Sequence, residues 1–317
     1  MKILAVDDDP VFLDILGVAL RNLGFQNLTL VESGQAALEE IEQRGSTFDC
    51  FLLDIHMPEM DGVELCRRIR QNSRYRRAPV MMVTSLSARQ NIDDAFAAGA
   101  TDYLMKPLDS IELKARMGVI ERLVYEQMRT NLLEQQNNRT AGILELQFDF
   151  STPVSIPGFE RGIEYLALEN YLLTLGIRES YMSSAFAISI RNAGLIFSLA
   201  SPVTFMNMLA DVSSVLEDVM KSRQALMSYA GNGVFVVAMN AMGPIDVAQI
   251  ERDMNEGIAT FENIYVVDRL PLPTVSVGQV VRSTLFSRNR ASRMLERAIS
   301  SATEGRAERP APAALAS

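Results

Sequence analysis

The first third of the chain alternates short apolar segments with amphipathic ones, and this alternation restricts the possible folds more than any other feature. Five strands are predicted, KILAV, NLTLV, CFLLD, PVMMVTS and DYLMKP, and a helical pattern separates each strand from the next. The centres of the third and fourth, FLL and VMMV, are apolar throughout, as is typical of strands buried on both faces. The pattern predicts a doubly wound α/β fold, in which helices cover both faces of a five-stranded parallel sheet.

Polar side chains follow four of these strands, at the point where each strand ends. They are Asp7, Asp8 and Asp9 after the first strand, Asp54 after the third, Thr84 after the fourth and Lys106 after the fifth. The carboxyl ends of parallel strands meet at one edge of a sheet, where ligands of such folds bind. Carboxylates that are brought together there repel one another, and a cation relieves the repulsion. The all-oxygen set predicts a Mg²⁺ site.

An ionised carboxylate beside a divalent cation can act as a nucleophile toward a phosphoryl group. Asp54 is the predicted acceptor, because the central strand delivers it to the middle of the acidic cluster. Lys106 supplies a second positive charge, and Thr84 supplies a hydroxyl donor. One acidic strand end alone would be better explained as a helix N-cap, but four polar ends in this order favour a phosphoryl-transfer site.

These residues resemble the receiver domain of two-component response regulators. VDDDP, LLDIHMPEMDG, VTS and YLMKP stand at that family's spacing, and we assign residues 1–122 to this domain. The resemblance implies that a histidine kinase or a phosphotransfer protein phosphorylates Asp54. It also implies that Asp8 binds Mg²⁺ directly and that Asp7 acts mainly through water. Asp9 shares that role if the register shifts by one residue.

The same resemblance assigns the remaining site residues. The backbone carbonyl of His56 is the further metal ligand, and its side chain is expected to shield the phosphoryl group from water. Thr84 and Lys106 bind the phosphoryl group, and Tyr103 is the rotameric aromatic switch. Phosphorylation is then expected to shift the face formed by the fourth helix, the fifth strand and the fifth helix. The expected consequence is homodimerisation or a change in contacts with a downstream protein partner.

The helix that begins near Asp109 continues far beyond the first domain, and residues 123–148 are predicted to form a helical linker. Met128, Leu132 and Leu133 leave a thin apolar seam on it. Either the seam pairs with a second copy of the chain or the linker helix is solvated. The tail, residues 303–317, is small, polar and rich in proline, and it is predicted to be disordered.

Residues 149–302 carry the pattern of a second α/β (α+β) domain. The predicted strands are AFAISI, LIFSLA, VFVVAM and PTVSVGQVV, and the predicted helices include RGIEYLALENYLLTL, FMNMLADVSSVLEDVMKSR, VAQIERDMNEGIATF and ASRMLERAISSA. GNGVF, TVSVG and ASRMLERA make this region resemble a diguanylate cyclase, the family named for its GGDEF loop. GNGVF, residues 231–235, stands at the position of that loop.

The departures from the cyclase pattern determine the predicted function. Gly233 and Val234 replace the loop carboxylates, and the strand AFAISI offers no aspartate. Without carboxylates for the metals, nothing offsets the charge of a triphosphate. We therefore expect no enzymatic activity, and a degenerate GGDEF-like output domain that serves as an interaction surface. The alternatives are a divergent diguanylate cyclase and an effector that senses cyclic di-GMP.

Composition restricts the partners further. The net charge of −9 argues against a large nucleic-acid interface. The most basic stretch is taken to be residues 280–299, and it is interpreted as a solvated helix face.

No long apolar run and no signal-like segment is present, so a cytoplasmic protein without a membrane span is expected. Cys50 and Cys66 are interpreted as buried thiols of a reducing compartment.

Overall fold

The computed structural model describes residues 1–43, 47–85, 89–140, 149–175, 179, 182–240, 243–282 and 290–304. The chain forms two compact units, an amino-terminal unit of residues 1–144 and a carboxy-terminal unit of residues 145–317. The last part of the predicted linker, residues 141–148, and most of the predicted tail, residues 305–317, lie outside the described residues. Among the helices that the structure describes, none is both long enough and apolar enough to cross a membrane.

The amino-terminal unit is built around the predicted sheet. Its five strands run parallel in the order β2-β1-β3-β4-β5, which confirms the predicted doubly wound arrangement. The strands are β1 (Lys2–Val6), β2 (Asn27–Val31), β3 (Cys50–Leu53), β4 (Val80–Thr84) and β5 (Asp102–Met105). The helices are α1 (Pro10–Asn22), α2 (Gly34–Glu42), α3 (Gly62–Gln71), α4 (Arg89–Ala97) and α5 (Ser110–Thr140).

Both faces of this sheet are buried, as the apolar strands predicted. Alternate strand residues on one face, among them Ala5 and Leu52, join a hydrophobic cluster with Leu16 of α1 and Met117 of α5. Their neighbours along the strands point to the opposite face, and Phe51 there is also fully buried. Burial on both faces holds the central strands rigidly, so residues just past their ends have fixed positions.

Hydrogen bonds continue one residue past three strand ends. Asp7 N–H donates to the Val31 carbonyl at 3.2 Å, and Asp54 N–H donates to the Val6 carbonyl at 2.8 Å. Lys106 N–H donates to the carbonyl of Thr84 at 2.8 Å. The sheet therefore fixes the backbone of the two acids and of the lysine at one edge.

The loop after β3 returns closely against that edge. Gly62, the first residue of α3, donates its N–H to the carbonyl of Ile55 at 2.9 Å. A Cβ atom at Gly62 would lie 2.0 Å from the backbone oxygen of Asp54. Only glycine allows the start of α3 to pack this closely behind the Asp54 backbone.

The carboxy-terminal unit contains a mainly antiparallel sheet of five strands in the order β10-β6-β8-β7, with β9 also paired to β6. The strands are β6 (Ser183–Ile190), β7 (Ala225–Tyr229), β8 (Val234–Asn240), β9 (Val275–Val277) and β10 (Val281–Arg282). The helices within the described residues are α6 (Tyr165–Thr174), α7 (Ala193–Leu199), α8 (Pro202–Val219), α9 (Val247–Ala259), α10 (Glu262–Val267) and α11 (Arg290–Glu304).

Four details of this unit differ from the sequence prediction. PTVSVGQVV was predicted as one strand but forms two, β9 and β10. LIFSLA was predicted as a strand but lies in α7, where Ile196 is buried and Leu195 and Leu199 are exposed. A short apolar run does not distinguish strand from helix, and packing against α8 decides the outcome here. The sequence prediction missed strand β7. Pairing with β8 stabilises this strand, and that pairing is not visible in the local sequence of β7. The short helix α10 was also not predicted.

Gly62→Ala is expected to destabilise the amino-terminal unit by roughly 2–3 kcal/mol, because the new methyl group overlaps the Asp54 backbone. The measurement is urea-dependent hydrogen exchange of peptides from β3 in the full chain. Gly118→Ala in α5 is the matched control, since a Cβ atom there meets no atom within 4 Å. That variant should be neutral or more stable, as alanine favours helix. Equal stability of the two variants would contradict the steric argument.

Candidate functional site

Asp54 lies at the end of β3 with its carboxylate held from two sides. Its Oδ1 atom is 3.2 Å from Lys106 Nζ, and its Oδ2 atom accepts a hydrogen bond from the His56 backbone N–H at 2.9 Å. The residue is buried, with 5% of its surface exposed. The carboxylate therefore has a fixed orientation at the edge of the sheet.

Asp7 lies beside Asp54 and shares the same lysine. Lys106 Nζ donates to Asp7 Oδ2 at 2.6 Å, and Asp7 Oδ1 accepts from the Asp9 backbone N–H at 3.1 Å. The ammonium group also lies 3.9 Å from the centre of the Phe12 ring, which sequence reasoning did not identify. One cation thus bridges two buried carboxylates and rests on an aromatic face.

Asp8 and Asp9 have different surroundings. Asp8 is exposed, and carboxylate oxygens of Asp7, Asp8 and Asp54 lie within 4.8 Å of one another. Asp9 instead caps α1, because its Oδ1 accepts from the N–H groups of Val11 at 2.9 Å and Phe12 at 3.2 Å. The structure brings Asp7, Asp8 and Asp54 together and uses Asp9 as a helix cap.

Electrostatics at this edge favour an additional cation. Burial raises the pKa of Asp7, and burial likewise raises the pKa of Asp54, although Lys106 counteracts both shifts. The folded state therefore binds protons at these two groups more tightly than the unfolded state does. As pH rises above their ordinary pKa, ionisation of the two groups lowers the free energy of unfolding. A divalent cation would offset this cost. Three carboxylates provide the hard oxygen ligands that Mg²⁺ binds, so the donor set fits this metal.

The other predicted site residues lie around the acids. Thr84 is completely buried at the end of β4. The His56 side chain is exposed on the loop after β3. Tyr103 of β5 is 1% exposed, and burial, together with Asp54, raises its pKa to about 12. The phenol is therefore neutral over the physiological pH range.

An ion-pair network at the opposite, amino end of β5 was not predicted. Arg116 of α5 pairs with buried Asp102 of β5, and its Nη2 atom lies 2.7 Å from Glu112 Oε1. The four-residue spacing of Glu112 and Arg116 is a sequence signal for such a pair. A further signal in the sequence was Asp102 itself, because an aspartate at the start of an otherwise apolar strand requires a nearby cation such as Arg116.

The segment GNGVF, which the sequence comparison placed at the position of the GGDEF loop, begins in the tight turn between β7 and β8. Gly231, Asn232 and Gly233 all have left-handed backbone conformations, with φ of 85°, 55° and 73°. The N–H of Asn232 donates to the Phe150 carbonyl at 2.7 Å. A Cβ atom at Gly233 would lie 2.3 Å from the Cβ of Ala193, so a larger side chain does not fit there.

Next to this turn, β6 ends on a cation instead of an acid. Arg191 Nη2 pairs with Glu251 Oε1 at 2.9 Å, and the neighbouring Ile190 N–H donates to the Gly233 carbonyl at 2.8 Å. Within the described residues, the only group of three or more potential metal ligands is that of Asp7, Asp8 and Asp54.

Comparison with known proteins finds relatives of the amino-terminal part of the chain. The model of the response regulator receiver domain family matches residues 3–118. The chemotaxis protein CheY1 of Helicobacter pylori is 31% identical over 120 residues, which make up 38% of this chain and 96% of that protein. CheY-3 of Vibrio cholerae is 36% identical over 124 residues, which make up 39% of this chain and 94% of that protein.

A third relative matches over a small part of its length. The signal transduction histidine-protein kinase BarA of Shigella flexneri is 37% identical over 113 residues, which make up 36% of this chain but only 12% of the kinase. The range matched by the family model, residues 3–118, contains the acidic cluster, Thr84 and Lys106. The matches to CheY1 and CheY-3 cover nearly the whole length of those two proteins. Through its amino-terminal unit, this chain belongs to the response regulator receiver domain family.

Proposed function

We propose that the chain is a response regulator whose Asp54 accepts a phosphoryl group from a histidine kinase or a histidine phosphotransfer protein. The observation that supports this most is the fixed carboxylate of Asp54, 3.2 Å from Lys106 Nζ and beside two further acids. A buried, oriented carboxylate next to a cation site is poised for nucleophilic attack on phosphorus.

In the proposed reaction, an Asp54 oxygen forms a bond to phosphorus as the bond from phosphorus to the histidine nitrogen breaks. The electron pair of that bond stays with the imidazole, which leaves. Asp7, Asp8, Asp54 and the backbone carbonyl of His56 are the proposed ligands of Mg²⁺, which when bound neutralises charge on the phosphoryl oxygens. The Lys106 ammonium group stabilises the remaining negative charge.

The proposed switch consists of Thr84, Lys106 and Tyr103. Once Asp54 carries a phosphoryl group, Lys106 has a new anionic partner and the Thr84 hydroxyl can donate to it. A shift of these groups would pass to β5 and α5, where Met105, Ile111 and Val119 are exposed. We propose that this face then pairs with a second copy or with a downstream protein.

We further propose that the carboxy-terminal unit is a degenerate GGDEF-like output domain without catalytic activity. Supporting this, the turn at 231–233 has no carboxylate and no room for one at Gly233. Arg191, paired with Glu251, places a positive charge near this turn, which disfavours a second cation there. The unit would then act through its surface.

Asp54→Asn is expected to abolish phosphorylation, because the amide that replaces the carboxylate is not nucleophilic. Acetyl phosphate with Mg²⁺ should add one phosphoryl group to the wild-type chain, measured by intact mass, and EDTA should prevent the addition. Asp9→Asn is the matched control, since asparagine also caps helices and leaves the acceptor in place. Labelling of the Asp54 variant at the wild-type level would contradict the assignment.

Lys106→Ala is expected to permit phosphorylation of Asp54 but to weaken the dimerisation that follows. The reason is that Lys106 orients the proposed switch once the phosphoryl group has been transferred. Light scattering with beryllofluoride and Mg²⁺ should show a shift toward dimer for the wild type and a much smaller shift for the variant. Arg21→Ala removes one exposed charge elsewhere on the unit and serves as the control. If both variants dimerise as the wild type does, Lys106 has no part in the switch.

Incubation of the pure chain with GTP and Mg²⁺ is expected to yield no cyclic dinucleotide, because the metal-binding carboxylates of a cyclase are missing. Liquid chromatography of the nucleotides provides the measurement, with and without beryllofluoride. Any enzyme-dependent formation of cyclic di-GMP would overturn the proposal of an inactive output domain. Calorimetry with cyclic di-GMP separately tests whether the unit binds that ligand.

A further inference from the structure

The densest positive charge of the chain lies in the amino-terminal unit, at the end of α3 and in the turn that follows. Six of the eleven residues 67–77 are arginine, whereas the stretch 280–299 has five arginines in twenty. The earlier identification of 280–299 as the most basic stretch is therefore wrong. We name residues 67–77 the arginine turn.

Five of the six arginines of this turn are exposed, and they fall into two groups. Arg67 and Arg68 are exposed on α3 and pair with Glu64 at 3.7 and 2.8 Å. Arg74, Arg76 and Arg77 are exposed in the turn itself. In the part of the chain that the structure describes, no carboxylate forms an ion pair with any of these three.

Hydrogen bonds of Arg70 and packing of Tyr75 hold the backbone that carries these three arginines. The sixth arginine, Arg70, donates to the carbonyls of Gly99 at 2.7 Å, Tyr75 at 3.0 Å and Ala78 at 2.7 Å. Tyr75 is 1% exposed, and its ring packs edge-on against Phe51 of β3 at 5.2 Å. Because these contacts already hold the backbone of the arginine turn, binding of a ligand to the exposed guanidinium groups carries no further entropic cost for ordering that backbone.

The position of the arginine turn separates it from the phosphoryl-transfer site. The turn precedes β4, so it lies at the amino ends of the strands, whereas Asp54 follows the carboxyl end of β3. It also lies beside α5, where Gln127 Nε2 donates to the Arg77 carbonyl at 2.9 Å. A partner bound here would leave Asp54 open and would contact the helix that leads out of the amino-terminal unit.

We propose that the arginine turn is a docking surface for an acidic segment of a partner protein. Arginine guanidinium groups bind carboxylates with two parallel hydrogen bonds. Arg74, Arg76 and Arg77, which form no ion pair with a described carboxylate, therefore fit a short run of Asp or Glu. The net charge of −9 opposes a long polyanion such as nucleic acid. The tyrosine of the turn is buried, so it offers no exposed ring on which a base can stack.

The test is fluorescence anisotropy of a labelled octaglutamate peptide with the full chain at moderate salt. The triple variant Arg74→Gln, Arg76→Gln, Arg77→Gln should bind it about tenfold more weakly than the wild type, since three charge pairs are lost. The control triple variant Arg21→Gln, Lys114→Gln, Lys221→Gln removes the same charge from exposed positions elsewhere and should bind as the wild type does. Beryllofluoride should leave the affinity unchanged.

Three results would overturn the proposal. The first is no measurable binding of the peptide, and the second is an equal loss in both triple variants, which would indicate a general effect of charge. The third is tighter binding of oligothymidylate, or of vesicles that contain phosphatidylserine, through the same three arginines. That outcome would assign the surface to a nucleic acid or a membrane instead.

Discussion

The ammonium group of Lys106 is the interaction on which the amino-terminal unit depends most. It lies 2.6 Å from Asp7 and 3.2 Å from Asp54, two carboxyl groups whose pKa burial raises and the lysine lowers. Without this cation, two buried acids at the edge of the sheet would carry an uncompensated desolvation cost. The lysine favours the ionised form of both acids, which the proposed metal site and phosphoryl transfer require.

The sheet supplies the precision that this arrangement requires. Backbone hydrogen bonds continue one residue past β1, β3 and β5, so the backbone of Asp7, Asp54 and Lys106 is held in place. Gly62 lets the start of α3 pack directly behind Asp54. The sheet itself thus fixes the backbone of the site, as precise positioning of binding groups requires.

The two units treat the ends of their central strands in opposite ways. The amino-terminal unit collects carboxylates at β1 and β3, whereas β6 of the carboxy-terminal unit ends on Arg191, which pairs with Glu251. The neighbouring turn at 231–233 contains only residues with left-handed backbone and no acid. This contrast agrees with the proposed division between a receiver domain and an output domain.

Sequence alone determined the architecture of the amino-terminal unit and the identity of its acidic cluster. Alternating strand and helix periods allow few folds, and in a parallel sheet residues that follow the strands must meet at one edge. Sequence also identified a second sheet-containing region, but it assigned LIFSLA to a strand and missed β7. Short apolar segments carry no decisive period, so their partners in space determine their conformation.

Tertiary structure alone decided which of several similar side chains takes which role. Three consecutive aspartates are equivalent in a sequence motif, yet Asp7 contacts the lysine, Asp8 stays exposed and Asp9 caps α1. Likewise, Arg70 is a structural donor to three carbonyls, while Arg74 close by is exposed without an ion pair to any described residue. Hydrogen bonds and ion pairs depend on distances across the fold, which neighbouring positions in a sequence do not encode.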